Sequence, residues 1–236
     1  MITHKQQQYF TSSSQSGFTI IESLMAIVVA AILMTAIAPV IVLSVATRVQ
    51  ARRVEIATQA VRTYIDGIKS GAITVPNNVF TPSPQLNLFW DGTNTPAAPS
   101  SGSLNCSPST YCSNHSEAST SILSLYCIDL DPPPIPPATT PTPGCSDTSS
   151  RDLIIQAFRS PNAIANKGYL LGLRVYRANA FNGNDSILKS DRTSKKTAAT
   201  FTGGLGNRKA PLLEMTTEIR TDKTTFQDLR DRLGGS

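Results

Sequence analysis

The chain has 236 residues, enough for one large domain or two small ones, with 21 Lys and Arg against 16 Asp and Glu and a formal charge of +5. Charged residues are 16% of the total, against about 25% in ordinary soluble domains, and the basic excess is smaller than a dedicated nucleic-acid binder carries. Two histidines leave little material for imidazole metal centres or acid–base pairs, so neither an enzyme nor a cofactor is expected.

These averages conceal three compositions. Residues 1–71 hold six Lys/Arg, three Asp/Glu and one long apolar run. Residues 72–150 have no Lys or Arg and five acids, Asp91, Glu117, Asp129, Asp131 and Asp147, among Ser, Thr, Pro, Asn and Gly. Residues 151–236 hold fifteen Lys/Arg against eight Asp/Glu. An apolar stalk is thus followed by an acidic, turn-rich region and then a basic one.

No charged residue lies between Glu22 and Arg48, and residues 23–47 are mostly Leu, Ile, Val, Ala and Met. Twenty-five helical residues span about 37 Å, more than a bilayer core of about 30 Å. A buried core helix is disfavoured because no other segment is comparably apolar. A signal peptide cut after Ser44-Val45-Ala46 would need an apolar region far above the usual length of about 7–15 residues. The start of the run also argues against a plain signal anchor. Ser16-Gly17-Phe18-Thr19-Ile20-Ile21-Glu22 sets a lone carboxylate at the mouth of an apolar helix, and an acid carried into such a span costs about 2.5–3.5 kcal/mol on insertion scales. A cut between Gly17 and Phe18 would create an α-amino group one turn from Glu22, and the helix dipole favours an acid there by about 0.3–1 kcal/mol.

The string Gly17-Phe18-Thr19-Ile20-Ile21-Glu22-Ser23-Leu24, after a short polar leader containing Lys5, resembles the cleavage and methylation signal of type IV pilins and type II secretion pseudopilins. Pro39 lies where that family often bends its helix. The resemblance implies an α+β pilin-like fold: a long N-terminal helix, membrane-spanning in its first half, on a small antiparallel sheet. It also implies cutting after Gly17 by a membrane prepilin peptidase, methylation of Phe18, and pairing of Glu22 with the N-terminus of a neighbouring subunit. Residues 39–73, including Arg48, Arg52, Arg53 and Tyr64-Ile65-Asp66-Gly67, are similar to the pseudopilins of hormogonium polysaccharide secretion in filamentous cyanobacteria. The implied partners are the peptidase, other pilin-like subunits and, indirectly, an inner-membrane platform and ATPase. The head would face the periplasm or cell surface. A count of Lys and Arg alone favours the reverse orientation, since Lys5 precedes the span while Arg48, Arg52 and Arg53 follow it. The cleavage signal requires residues 1–17 to be cytoplasmic and is given precedence.

Helical periodicity continues through Val54, Ala57, Val61, Ile65 and Ile68, spaced by three and four, with Gly71 placed to end the helix. One helix over residues 18–71 is expected, about 80 Å long, and Pro39 should kink or locally unwind it. Residues 72–150 read as an irregular part of the head, with short strands at 85–90 and 122–130. Its proline run, 132–137, suits a stiff polyproline II loop.

All four cysteines, Cys106, Cys112, Cys127 and Cys145, fall in this acidic region without zinc-ligand spacing. Outside the cytoplasm they favour disulfides. Three pairings are possible, and closeness in sequence favours Cys106 with Cys112 and Cys127 with Cys145. Asp129 and Asp131 have a spacing compatible with calcium but no identifiable further ligands, so no metal is assigned.

Residues 151–236 form a β-rich basic part of the head. Strands are predicted at 153–158, 169–176 and 212–220, the second partly alternating as a half-buried strand does, with a short helix at 225–233. Lys189, Arg192, Lys195, Lys196, Arg208 and Lys209 form a candidate patch for an anionic polymer such as an acidic polysaccharide, weighed against an ordinary solvated loop; nucleic acid is not favoured. No G-x-S-x-G, P-loop, H-E-x-x-H or complete G-x-G-x-x-G occurs. The resemblance therefore implies a filament subunit of a polysaccharide-exporting, gliding-associated apparatus. The alternatives are a minor type IV pilin, a minor type II secretion pseudopilin, or a membrane-anchored module that binds an anionic polymer.

Overall fold

A computed structural model describes residues 17, 19–80, 96–104, 106–112, 125–131, 144–161, 168–190, 196–198, 206–221 and 223–232. The expected strand at 85–90 and the proline run lie outside them. Helix α1 covers Ile20–Ser70, strands β1 to β5 cover Tyr111–Cys112, Leu125–Ile128, Leu153–Arg159, Tyr169–Arg177 and Leu213–Ile219, and helix α2 covers Phe226–Arg232. The chain divides into two compact units, Met1–Ser44 and Val45–Ser236. This is the α+β pilin-like architecture that the sequence led us to expect.

In the first unit, α1 is apolar on all sides. Ile20, Leu24, Ile32, Met34 and Val40 are among its exposed large side chains, and the helix is long and apolar enough to cross a membrane. It stays α-helical through Pro39, so the local unwinding expected at that residue does not occur. The ring removes one backbone donor from the ladder, leaving its other turns intact.

In the second unit the five strands run antiparallel in the order β1-β2-β3-β4-β5. Odd-numbered residues of β3 and β4 (Leu153, Ile155, Ala157, Leu171, Leu173, Val175) share one core with Ala57, Ala60, Val61, Tyr64, Ile65 and Ile68 of α1. The amphipathic stripe thus docks on one sheet face, each large aliphatic side chain contributing about 1.5–3 kcal/mol by burial. Gly71 (φ +75°) ends α1 in the left-handed region; its N–H donates to the Ile68 carbonyl at 3.2 Å, and Ile73 N–H to the Gly67 carbonyl at 3.0 Å. Tyr64, Tyr111 and Tyr126 meet edge to face with centroids 5.0–6.4 Å apart. The Tyr64 and Tyr111 hydroxyls bond to each other, and Tyr111 also donates to the Thr74 carbonyl at 2.8 Å. Burial raises the pKa values of all three and brings the neighbouring Tyr169 phenol up to about 12, so the cluster stays neutral at physiological pH.

The half-buried alternation expected of β4 is corrected: all nine of its residues, and all seven of β3, are buried. The second face is roofed. Ile154 and Tyr176 pack with Leu104, Phe181, Ile187 and all four cysteines. The disulfides are Cys106–Cys112 and Cys127–Cys145, the pairing that closeness in sequence favoured, and each contributes about 2–4 kcal/mol to a region poor in apolar residues. They are laced together by backbone, since Cys145 N–H donates to the Cys106 carbonyl at 3.0 Å. Gly144 (φ +142°) permits that approach; a Cβ built there would lie 2.1 Å from the Cys106 carbonyl oxygen.

Under the same roof lies Arg174, fully buried on β4. Its Nε pairs with Glu214 of β5 at 2.9 Å, directly across the ladder. Its Nη1 reaches the Pro96 carbonyl at 2.8 Å and Gln156 Oε1 at 3.2 Å, and Gln156 Nε2 donates to the Ala97 carbonyl at 2.9 Å. Residues 96 and 97 are thereby tied to the sheet.

Two substitutions test this roof. Arg174→Met leaves Glu214 buried without its cation and should lower the unfolding free energy by about 3–5 kcal/mol, measured by urea titration with near-UV dichroism. The pair Arg174→Met with Glu214→Leu should recover much of that loss. Gly144→Ala should cost about 1–3 kcal/mol for the backbone conformation alone and speed reduction of Cys127–Cys145 by dithiothreitol.

Candidate functional site

The N-terminal site is assembled at the mouth of α1. Thr19 precedes the helix and caps it: Glu22 N–H donates to Thr19 Oγ1 at 3.3 Å and to the Thr19 carbonyl at 3.0 Å, and Ser23 N–H to the same carbonyl at 3.1 Å. A hydroxyl three residues ahead of a glutamate is a capping-box pattern. Thr19-x-x-Glu22 therefore carries a signal that is legible in the sequence. The cap fixes Glu22 in the first turn, where the helix dipole favours its charge. Its carboxylate is exposed, and among the described residues no cation lies within ion-pair distance of it.

Gly17 is exposed, and a Cβ built on it meets nothing within 4 Å. Packing among the described residues does not account for glycine at this position. Phe18, expected to become the methylated terminus, lies outside the described residues.

With this geometry in view, the comparison with known families is specific. Residues 12–38 match the prokaryotic N-terminal methylation motif. The match takes in Gly17, the capped start of α1 and Glu22, and stops one residue before Pro39. Neither the curated proteins nor the solved structures yield a match. The motif supports a type IV pilin-like or pseudopilin-like protein, and it implies processing by a prepilin peptidase and assembly with other pilin-like subunits. The apolar α1 is consistent with a single-pass membrane anchor.

The candidate polyanion patch is only partly a surface. Arg192 and Lys195 lie outside the described residues. Lys196 and Arg208 are exposed and Lys189 is half-buried. Lys209 is withdrawn from solvent: it is buried, and its Nζ donates to the Asn182 carbonyl at 2.9 Å. Desolvation lowers its pKa, Asp185 opposing and Arg208 reinforcing the shift. Its long side chain serves the packing around residue 182 and is not available to a polymer.

Asp129 and Asp131 gain a third carboxylate, Asp152, with oxygens of all three within 4.8 Å of one another. Each already accepts hydrogen bonds. Asp129 receives the Asp131 and Gly144 N–H groups at 2.9 Å, Asp131 the Ser149 hydroxyl at 3.1 Å, and Asp152 the Leu130 and Ser146 N–H groups at 3.1 and 3.3 Å. These bonds give the cluster a structural role, pinning the segment around Cys145 to β2, with no ligand needed to explain it.

Processing has a direct test. Mass spectrometry of the protein recovered from its native membrane should give an N-terminus at Phe18 carrying one added methyl group. Gly17→Val should leave residues 1–17 attached; cleavage that proceeds normally in that variant would refute the assignment of the cut.

Proposed function

We propose that the chain is a pseudopilin, a non-catalytic subunit of a type IV pilus-like filament apparatus that exports polysaccharide and supports gliding motility. The observation that carries the filament reading is Glu22: an exposed carboxylate in the first turn of a helix that Thr19 caps and whose first half is apolar, inside the methylation motif, with no cation among the described residues beside it. The polysaccharide assignment rests on the likeness of residues 39–73 to the hormogonium pseudopilins.

In this reading the leader faces the cytoplasm, the span crosses the inner membrane, and the head lies in the periplasm. Cutting after Gly17 frees an amine at Phe18. In a filament, the amine of one subunit and Glu22 of the next neutralise one another in a setting of low dielectric. Attraction between unit charges there is many times its value in water, and neither ion need remain alone among apolar side chains. Subunits leave the bilayer because the bundle of α1 helices replaces lipid around the apolar surface while satisfying the charge that lipid cannot. An assembly ATPase acting through an inner-membrane platform would drive the step.

A deletion strain complemented with wild type or with Glu22→Ala tests both layers of the proposal. Glu22→Ala protein should be processed and remain in the membrane, yet fail to enter sheared filaments, with loss of released polysaccharide and of surface gliding. Normal export and gliding in that strain would favour a tethered binding module. Loss of protein secretion with polysaccharide export intact would favour a type II secretion pseudopilin. Loss of pili alone would favour a minor type IV pilin.

A further inference from the structure

The second unit carries a cluster of cations that the filament reading does not use. Arg52 and Arg53 of α1, Arg151 before β3 and Arg177 at the end of β4 line one cavity of about 640 Å³. Arg177 is only 7% exposed, and among the described residues no acceptor reaches its Nε. Desolvation, with Arg53 and Arg208 nearby, lowers the Arg177 pKa to about 10. The guanidinium groups of the four arginines have no ion pair or hydrogen bond with any described residue. Buried arginine is ordinarily paired, as Arg174 is in the same strand, so among the described residues this cationic site lacks its anion.

Most of the remaining wall is apolar, with Val49, Ile56, Leu153 and Leu212, beside the polar Gln59 and Ser150. A ligand matching both surfaces has an anionic head and an apolar body. Arg52 and Arg53 come five and six positions after Thr47, the last residue of the uncharged run, which is about 8–9 Å along a helix. The polar layer outside each face of the hydrocarbon core is about 5–8 Å deep, so along the helix these two arginines stand at its outer edge, within side-chain reach of lipid phosphates. Basic pockets at this level suit anionic headgroups, and guanidinium groups bind phosphate through paired, charge-assisted hydrogen bonds.

We infer that this arginine-lined cavity binds the phosphodiester headgroup of an anionic phospholipid in the leaflet facing the head. The inference rests on the membrane-anchored reading for its lipid source, whereas the binding itself can be measured in detergent. Full-length protein in maltoside micelles would be titrated calorimetrically with dihexanoyl phosphatidylglycerol, dihexanoyl phosphatidylcholine and glycerol-1-phosphate. Saturable binding of the phosphatidylglycerol at one per chain is expected, with little or none of the phosphatidylcholine. Arg177→Met and Arg53→Gln should each weaken it about tenfold. Arg53 is half-buried, so Arg53→Gln decides the matter if Arg177→Met does not fold. Equal binding of both lipids, or unchanged binding by Arg53→Gln, overturns the site. Glycerol-1-phosphate binding as tightly as the lipid overturns the lipid assignment in favour of a free phosphate ester. Recovery of the protein in the soluble fraction of lysed cells would instead overturn the membrane reading while leaving the calorimetry to stand.

Discussion

Burial of both faces of β3 and β4 is the constraint on which the head depends. A small antiparallel sheet with one bare face would expose Ile154, Phe158 and Tyr176, and would place the charge of Arg174 in solvent. The α1 stripe covers one side. The other is covered by loops with too few apolar residues to hold themselves in place, and the chain compensates with covalent and polar fastenings. Two disulfides, the Cys106 and Cys145 backbone contact, and Arg174 reaching the carbonyls of Pro96 and Ala97 do what aliphatic packing does on the helix side.

This difference between the two faces explains what could be read from the sequence. The periodic positions of α1 and the apolar runs of β3, β4 and β5 are local patterns, and a helix stripe facing a sheet follows from them. Gly71 marked the helix end for the same local reason. β1 has two residues and exists only because Tyr111 and Cys112 pair with Tyr126 and Leu125, a long-range condition that no local pattern announces. The full burial of β4 was hidden too, because its second cover is formed by separated segments that include Pro96, Ala97, Leu104, the cysteines, Phe181 and Ile187, which share no periodicity. Arg174 and Arg177 look alike in sequence, three residues apart on one strand. Strand alternation sets them on opposite faces, and the register of β5, which puts Glu214 opposite Arg174, gives that one its partner.

At the N-terminal site the legible part was chemical and the hidden part geometric. A lone acid beginning an apolar run, one turn after a glycine–phenylalanine junction, stands out by composition alone. The Thr19-x-x-Glu22 spacing carries the capping signal as well, and the structure adds the hydrogen bonds that realise it. The basic patch was misread at Lys209 because charge density along a sequence does not reveal which amines turn inward; a lysine stem is long enough to carry its charge to a backbone carbonyl while the methylenes stay buried.

Charges in this chain thus fall into two kinds. Arg174 with Glu214, Lys209 with the Asn182 carbonyl, and the carboxylates of Asp129 and Asp152 with backbone N–H groups are satisfied internally. Glu22 and Arg177 are left without a counter-charge among the described residues, one at the first turn of α1 and the other at the end of β4. An unpaired ion is tolerated in water at little cost and becomes expensive only where water is excluded. For Glu22 that exclusion comes with the bilayer or with packing among helices, and for Arg177 it is already imposed by the walls of the cavity. The two sites therefore differ in when the missing partner is needed. Glu22 can wait exposed until assembly supplies an amine, whereas Arg177 bears its desolvation in the isolated subunit and gains from an anion from the moment the head folds.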